Sequence, residues 1–199
     1  MTATHPEIRG KVETTVVYLE MTSPPDRPPT APPPPGVEVR RALRPTGSFF
    51  RYLSDTIGAE WTWTARRLMS DAELVDIIRA PMVELNILWI DGVPAGLAEI
   101  DRRASPDLEL SYFGLIPDFV GKGLGGFFLN WAIDHAWTAG PRRLWVHTCD
   151  LDHPNALPVY RRAGFQVYDR QKAYEVTLEG MPPPKRAGQV VDIERILKP

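Results

Sequence analysis

Apolar and polar positions alternate along several stretches of the chain and recur at helical spacing along others. The alternation, with its content of Val, Thr and aromatic residues, predicts strands over residues 12–19, 37–43, 83–90, 95–101, 108–115 and 144–149, and a strand or hairpin over 165–178. Helical spacing predicts helices over residues 49–57, 71–78, 123–139 and 155–163. Helices alternate with strands only in the second half, which favours a mixed α/β sheet over a doubly wound one.

Prolines divide the chain into four parts. Residues 23–36 hold eight of the 21 prolines and are expected to form an extended linker, most simply a spacer, with an SH3-type ligand as the alternative. The linker separates an N-terminal tail and strand (1–22) from the main domain (37–180), and residues 181–199 form a proline-containing C-terminal tail. We expect the tethered strand to dock on a distant sheet edge or on a partner subunit, which makes a homodimer possible.

A glycine-rich run, VGKGLGG at residues 120–126, joins a predicted strand to a predicted helix. Glycines at such a turn let the backbone approach a ligand closely, and the free N–H groups at the helix start attract an anion. The run therefore predicts a phosphate or pyrophosphate site.

Two common phosphate loops fit this run poorly. A Walker A loop needs Ser or Thr after its lysine, but Lys122 is followed by Gly123. A dinucleotide fingerprint matches Gly121, Gly123 and Gly126 literally, yet residues 116–120 separate these glycines from the strand end. A dinucleotide-dependent oxidoreductase therefore stays a weak alternative.

Two blocks resemble the GNAT superfamily of acyl-CoA-dependent N-acetyltransferases. Residues 113–126 are similar to its cofactor loop, with the lead-in LIP at 115–117 and Val120 where the family usually has Gln or Arg. Residues 155–165 are similar to its second signature, which ends on Tyr160 and the Gly-Phe pair at 164–165. The resemblance covers residues 37–178.

This resemblance implies a mostly antiparallel central sheet, flanked by helices, whose central strands splay apart, with Gly114 near a strand bulge. It implies transfer of acetyl from acetyl-CoA, as co-substrate, directly to a small-molecule or peptide amine in a ternary complex. His153 occupies the position of a family asparagine, and Asn155 lies nearby. Cofactor contacts are expected from Phe113, Leu115, Ile116, Gly121, Lys122, Gly123, Leu124, Gly125, Gly126, Asn155 and Tyr160.

The same resemblance suggests catalytic residues. Tyr160 matches the family's tyrosine acid, although a tyrosine packed in the core is the alternative. The base is Glu109, Glu99 or a water chain. Aromatic side chains near the first two helices and on the strand before the glycines could bind the acceptor: Tyr52, Trp61, Trp63 and Tyr112.

Composition and charge limit the partners, the compartment and the metals that the sequence predicts. A net charge of −2 favours neither nucleic acid nor an anionic membrane as partner. Cys149 is the only cysteine, and no apolar run reaches membrane-spanning length, so we expect a cytoplasmic protein. The acidic and histidine residues at 147–153 suit a helix cap better than a metal, and no metal is predicted. A non-catalytic acyl-CoA-binding module is the other alternative.

Overall fold

The structure is a computed structural model that describes residues 7–181 and the backbone of residues 190–191. The first part of the predicted N-terminal tail, residues 1–6, and most of the predicted C-terminal tail lie outside the described residues. No helix within the described ranges combines the length and the apolar character needed to cross a bilayer.

The helices and strands follow the predicted order, except for a short strand at 190–191, within the predicted C-terminal tail, that was not predicted. The strands are β1 (Ile8–Met21), β2 (Val37–Arg41), β3 (Val83–Ile90), β4 (Val93–Asp101), β5 (Asp107–Leu115), β6 (Arg143–Cys149), β7 (Gln166–Leu178) and β8 (Val190–Val191). The helices are α1 (Gly47–Ile57), α2 (Asp71–Ile78), α3 (Leu124–Trp137) and α4 (Ala156–Arg162), with a 3-10 turn at Pro117–Phe119. Predicted boundaries agree to within a few residues, because the apolar periodicity changes where each element begins and ends.

The strands form one sheet in the order β2-β3-β4-β5-β6-β1-β7, and β8 pairs with β1. Neighbours are antiparallel except for β5 and β6, which run parallel. The prediction of a mixed, mostly antiparallel sheet is therefore confirmed. A doubly wound dinucleotide fold needs a largely parallel sheet, so this topology counts against that alternative.

The N-terminal strand lies inside the sheet, whereas the sequence placed it at an edge or on a partner. Glu20 pairs with Trp145 of β6, and Val12 pairs with Glu175 of β7. The strand buries side chains on both faces, with Val12 and Leu19 fully buried, as is typical of an interior strand. The expectation of edge docking was wrong because a long spacer allows a distant partner without requiring one.

The proline-rich segment runs beside α3. Arg27 donates to Asp134 at 2.8 Å and to the carbonyl of Asn130 at 3.2 Å, while the backbone N–H of Thr30 donates to Asp134 at 2.7 Å. Burial alone would raise the pKa of Asp134, but the hydrogen bonds from Arg27 and Thr30 outweigh it and lower that pKa. The linker is thus held against the domain.

Helices cover both faces of the sheet. Phe128 and Ala132 of α3 pack in a core that includes Ile100, while Phe50 of α1 packs in a second core with Leu97. Side chains alternate between faces along β4, so the two cores lie on opposite sides. The site described next opens where this layered packing is interrupted.

Candidate active site

A cleft opens where the parallel strands β5 and β6 separate. Their pairing spans only residues 107–109 of β5 and 143–145 of β6. Beyond that point the strands diverge, and a cavity of about 1170 Å³ lies between them and the loops that follow. The later part of β5 therefore has one edge free to pair with an extended ligand.

The glycine run forms a tight turn at one end of this cleft. Gly121 and Gly123 have φ of 83° and 79°, which favours glycine, and a Cβ added to either meets no atom within 4 Å. Gly123 is the N-cap of α3 and supplies no side-chain cap. Gly123 thus leaves the first N–H groups of α3 without a side-chain cap, a feature that an anion site needs.

Gly114 is needed for close packing, while the strand irregularity lies elsewhere. Glu99 pairs with Tyr112 and Ile100 with Leu110, so Ser111 is the extra residue of β5. A Cβ on Gly114 would lie 2.4 Å from Cγ2 of Ile57. The expected bulge near Gly114 is therefore displaced to Ser111.

Tyr160 is buried beside the later part of β5. Its ring makes edge contacts with Phe113, at 6.4 Å between centroids, and with Phe165, at 5.9 Å. Burial raises the pKa of Tyr160, so the hydroxyl keeps its proton across the physiological range. Asn155 is the N-cap of α4 as expected, although its side chain caps no backbone N–H, and it lines the same cleft.

Glu109 meets a histidine at the point where the strands part. Oε1 of Glu109 lies 3.2 Å from Nδ1 of His147, which is on β6, and both residues line the cleft. The hydrogen bond to Glu109 raises the pKa of His147, and the charges of Glu109 and Asp152 add to the rise. A titratable pair with a basic imidazole thus faces the cavity.

Aromatic side chains form one wall of the cleft. Nε1 of Trp63 donates to Asp152 at 3.1 Å, and the ring of Trp61 lies 5.1 Å from that of His153. Trp63 also contacts Tyr112 edge to face at 5.3 Å. The loop after α1 is therefore fastened to the turn after β6, and the two together enclose one side of the cavity.

Glu99 lies beneath the cleft wall and does not line the cavity. Arg66 donates to both of its oxygens, at 2.7 and 2.5 Å, and the guanidinium lies 4.7 Å from the Tyr112 ring centre. Burial raises the pKa of Glu99, and Arg66 opposes the rise. With a 0% exposed side chain, Glu99 has no route to an acceptor, whereas Glu109 lines the cleft.

Most of the predicted site residues share the cleft. Those that line it are Trp61, Trp63, Glu109, Tyr112, Phe113, Leu115, Gly121, Gly125, Gly126, Asn155 and Tyr160. Those outside its lining are Tyr52, Glu99, Ile116, Lys122, Gly123 and Leu124. Tyr52 is half exposed on α1, and the N–H of Ile116 already donates to the carbonyl of Ala95. These two are therefore poorly placed for the roles expected of them.

His147 and Glu175 were not among the predicted site residues. Leu144 and Val146 are buried, so the alternation along β6 places His147 on the opposite face. This alternation was visible in the sequence, but the role of His147 depends on which strand lies beside β6. Glu175 of β7 reaches the cavity only because β1 places β7 nearby.

Comparisons with known proteins agree with this geometry. The sequence model of the Acetyltransferase (GNAT) family matches residues 49–165. A mycothiol acetyltransferase from Corynebacterium efficiens is 26% identical over 92 residues, which are 46% of this chain and 31% of that protein. The chain thus spans about a third of that relative's length.

Solved structures share the fold. A GCN5-related N-acetyltransferase from Sphaerobacter thermophilus superposes with a TM-score of 0.62 at 15% identity, covering 85% of this chain and 53% of that chain. A GCN5-related N-acetyltransferase from Kribbella flavida gives 0.55 at 18% identity, covering 86% and 61%. Since the family model covers more than half of the sequence, this chain belongs to the acetyltransferase (GNAT) family.

Proposed function

We propose that the protein transfers acetyl from acetyl-CoA to the amine of a small molecule or a peptide, in a ternary complex. The observation that carries the proposal is a single cleft that joins an uncapped helix N-terminus to a titratable Glu109–His147 pair. The first feature suits a pyrophosphate, and the second suits removal of a proton from an amine.

The dimensions of the cleft suit an extended thioester. Glu109 precedes Leu115 by six residues along β5, a span of roughly 20 Å in a strand. The free edge of Phe113 and Leu115 would pair with the amides of the pantetheine arm, and Gly121, Gly125 and Gly126 would surround the pyrophosphate. The thioester would then lie near Tyr160, beside Phe113.

The reaction needs few groups. The amine nitrogen attacks the thioester carbonyl, a C–N bond forms, the C–S bond breaks and the thiol leaves. Glu109 lies beside His147 at the end of the cleft where the amine proton is removed. Tyr160 donates a hydrogen bond to the leaving sulfur, since its raised pKa keeps the hydroxyl protonated.

A screen of amine acceptors that measures release of free CoA thiol tests the proposal. Glu109→Gln should lower kcat/KM by about 100-fold or more, as expected when acid–base catalysis by the Glu109–His147 pair is impaired. Tyr160→Phe should lower kcat about tenfold to a hundredfold, as for a lost hydrogen bond to a charged group, with little change in affinity for acetyl-CoA.

Ligand-induced thermal shifts separate the alternatives. Acetyl-CoA at a hundred times its Kd should stabilise the fold by about 2.7 kcal/mol, and NAD(P) should not. Stabilisation by acetyl-CoA without turnover of any amine would indicate a non-catalytic binding module. Stabilisation by NAD(P) alone would contradict acetyl-CoA binding.

A further inference from the structure

His147 and Glu109 form a carboxylate–imidazole pair at the fork of the sheet. Parallel pairing ends where Glu109 faces Trp145, and His147 is the next residue on the same face of β6. Nδ1 of His147 lies 3.2 Å from Oε1 of Glu109. The carboxylate therefore engages one ring nitrogen and leaves the other for a different partner.

The carboxylate beside Nδ1 favours the tautomer that carries its proton on that nitrogen. A carboxylate accepts a hydrogen bond from Nδ1–H, and the neutral ring then carries its lone pair on Nε2. No described residue is hydrogen-bonded to Nε2 of His147. The imidazole is also the more accessible member of the pair, with its side chain 45% exposed against 22% for Glu109. Nε2 of His147 is therefore available to accept a proton from a ligand in the cleft.

Charges around the ring strengthen its basicity. Glu109 faces it from β5, Asp152 from the turn after β6 and Glu175 from β7, while the rings of Tyr18 and Trp145 each lie 6.0 Å away. Hydrogen bonding to Glu109 is the largest cause of the raised pKa of His147, and the three carboxylates add to it against the opposing effect of burial. An imidazole in these surroundings stabilises the positive charge that follows proton uptake.

We infer that Nε2 of His147, oriented by Glu109, is the atom that removes the proton from the attacking amine. This assignment rests on the proposed acetyl transfer. As the C–N bond forms and the C–S bond breaks, the amine proton passes to Nε2, and the departing thiolate, which accepts a hydrogen bond from the Tyr160 hydroxyl, takes up a proton from solvent. The imidazolium then returns its proton to solvent, so that the products are an amide and a free thiol.

The pH dependence of kcat/KM distinguishes His147 from Glu109 as the base. Each variant is measured with the same acceptor and divided by the wild-type rate, so that titration of the acceptor itself cancels. His147→Gln should lose 100-fold or more near neutral pH, with a loss that shrinks towards acid pH, where the wild-type imidazole is already protonated. Glu109→Gln should move the acid limb to lower pH, because the remaining imidazole loses the carboxylate that raised its pKa.

A second histidine–carboxylate pair provides a matched control. Nε2 of His135 lies 2.7 Å from Oε2 of Glu84, and neither residue lines the cleft. His135→Gln should leave the rate and its pH profile unchanged. Thermal midpoints and acetyl-CoA affinity of all three variants check that the fold and the cofactor site persist.

Failure of the His147 assignment and failure of the proposed acetyl transfer would give different results. A His147→Gln variant within threefold of wild type, with the same acid limb, would overturn the assignment while leaving acetyl transfer intact. The same would follow if Glu109→Gln alone removed the acid limb. A wild-type protein that binds acetyl-CoA but acetylates no amine would overturn the proposed function and this inference together.

Discussion

Arg66 neutralises a carboxylate buried beneath the cleft wall. Its two terminal nitrogens donate to Glu99 at 2.7 and 2.5 Å, and the Glu99 side chain is 0% exposed. Arg66→Met keeps much of the apolar stem but leaves Glu99 without a counter-charge. Removal of one partner of a buried pair costs about 3–5 kcal/mol, a large part of the roughly 5–15 kcal/mol that stabilises a native protein. Urea unfolding near neutral pH should show this loss.

The loss should also depend on pH. Without Arg66, burial holds the pKa of Glu99 further above its unfolded value of about 4.3, so the folded state binds a proton that the unfolded state releases. The stabilisation that this bound proton gives the folded variant is complete below the pKa of Glu99 in the unfolded state. It is lost as the pH rises through the pKa of Glu99 in the folded state. The deficit relative to wild type should therefore be smaller at about pH 5 than at about pH 8.

A double variant provides the control. Arg66→Met with Glu99→Met removes both charges, and such replacements are often neutral, so most of the lost stability should return. An Arg66→Met variant as stable as wild type at both pH values would refute the reasoning. It would mean that the carboxylate finds another partner or protonates at negligible cost.

Two further predictions concern packing and the linker. Gly114→Ala should lower the free energy of unfolding by about 1–3 kcal/mol, because the new Cβ would lie 2.4 Å from Ile57; in urea titrations Gly126→Ala, whose Cβ meets no atom within 4 Å, should show no such loss. Asp134→Asn should cost about 1–2 kcal/mol at neutral pH, since the proline-rich segment donates to that carboxylate. Its pKa is lowered in the folded state, so this contribution exists above the unfolded pKa and disappears as the pH falls through the folded pKa. The variant should therefore lose less stability than wild type in acid, and an equal loss would contradict the role of the linker contacts.

Local patterns predicted the elements and the tight glycine turn before α3 well. The alternation that marks β3 depends on neighbours a few residues away, and so does the capping box of Ser70 and Glu73 that the structure shows at the start of α2. The glycines before α3 likewise indicate a tight turn from the sequence alone, because glycine readily adopts a positive φ. These features were accessible because each is decided within a short segment.

Pairings across the sheet were less accessible. Glu99 and Glu109 both sit on predicted strands and both offer a carboxylate, yet one is covered by Arg66 and the other faces His147. The difference arises from which elements cover each strand. Interior placement of β1 likewise depends on hydrogen bonds to strands from the far end of the chain.

The position of β1 has a consequence for how the chain folds during synthesis. This strand leaves the ribosome before the other described elements, but its neighbours β6 and β7 are made only after most of those elements. Until they emerge, β1 presents two unpaired edges, and its pairing requires closure of a loop that contains most of the chain. We expect slow completion of the sheet, a late appearance of the cleft bordered by β6, and a need for protection of the nascent strand from other chains.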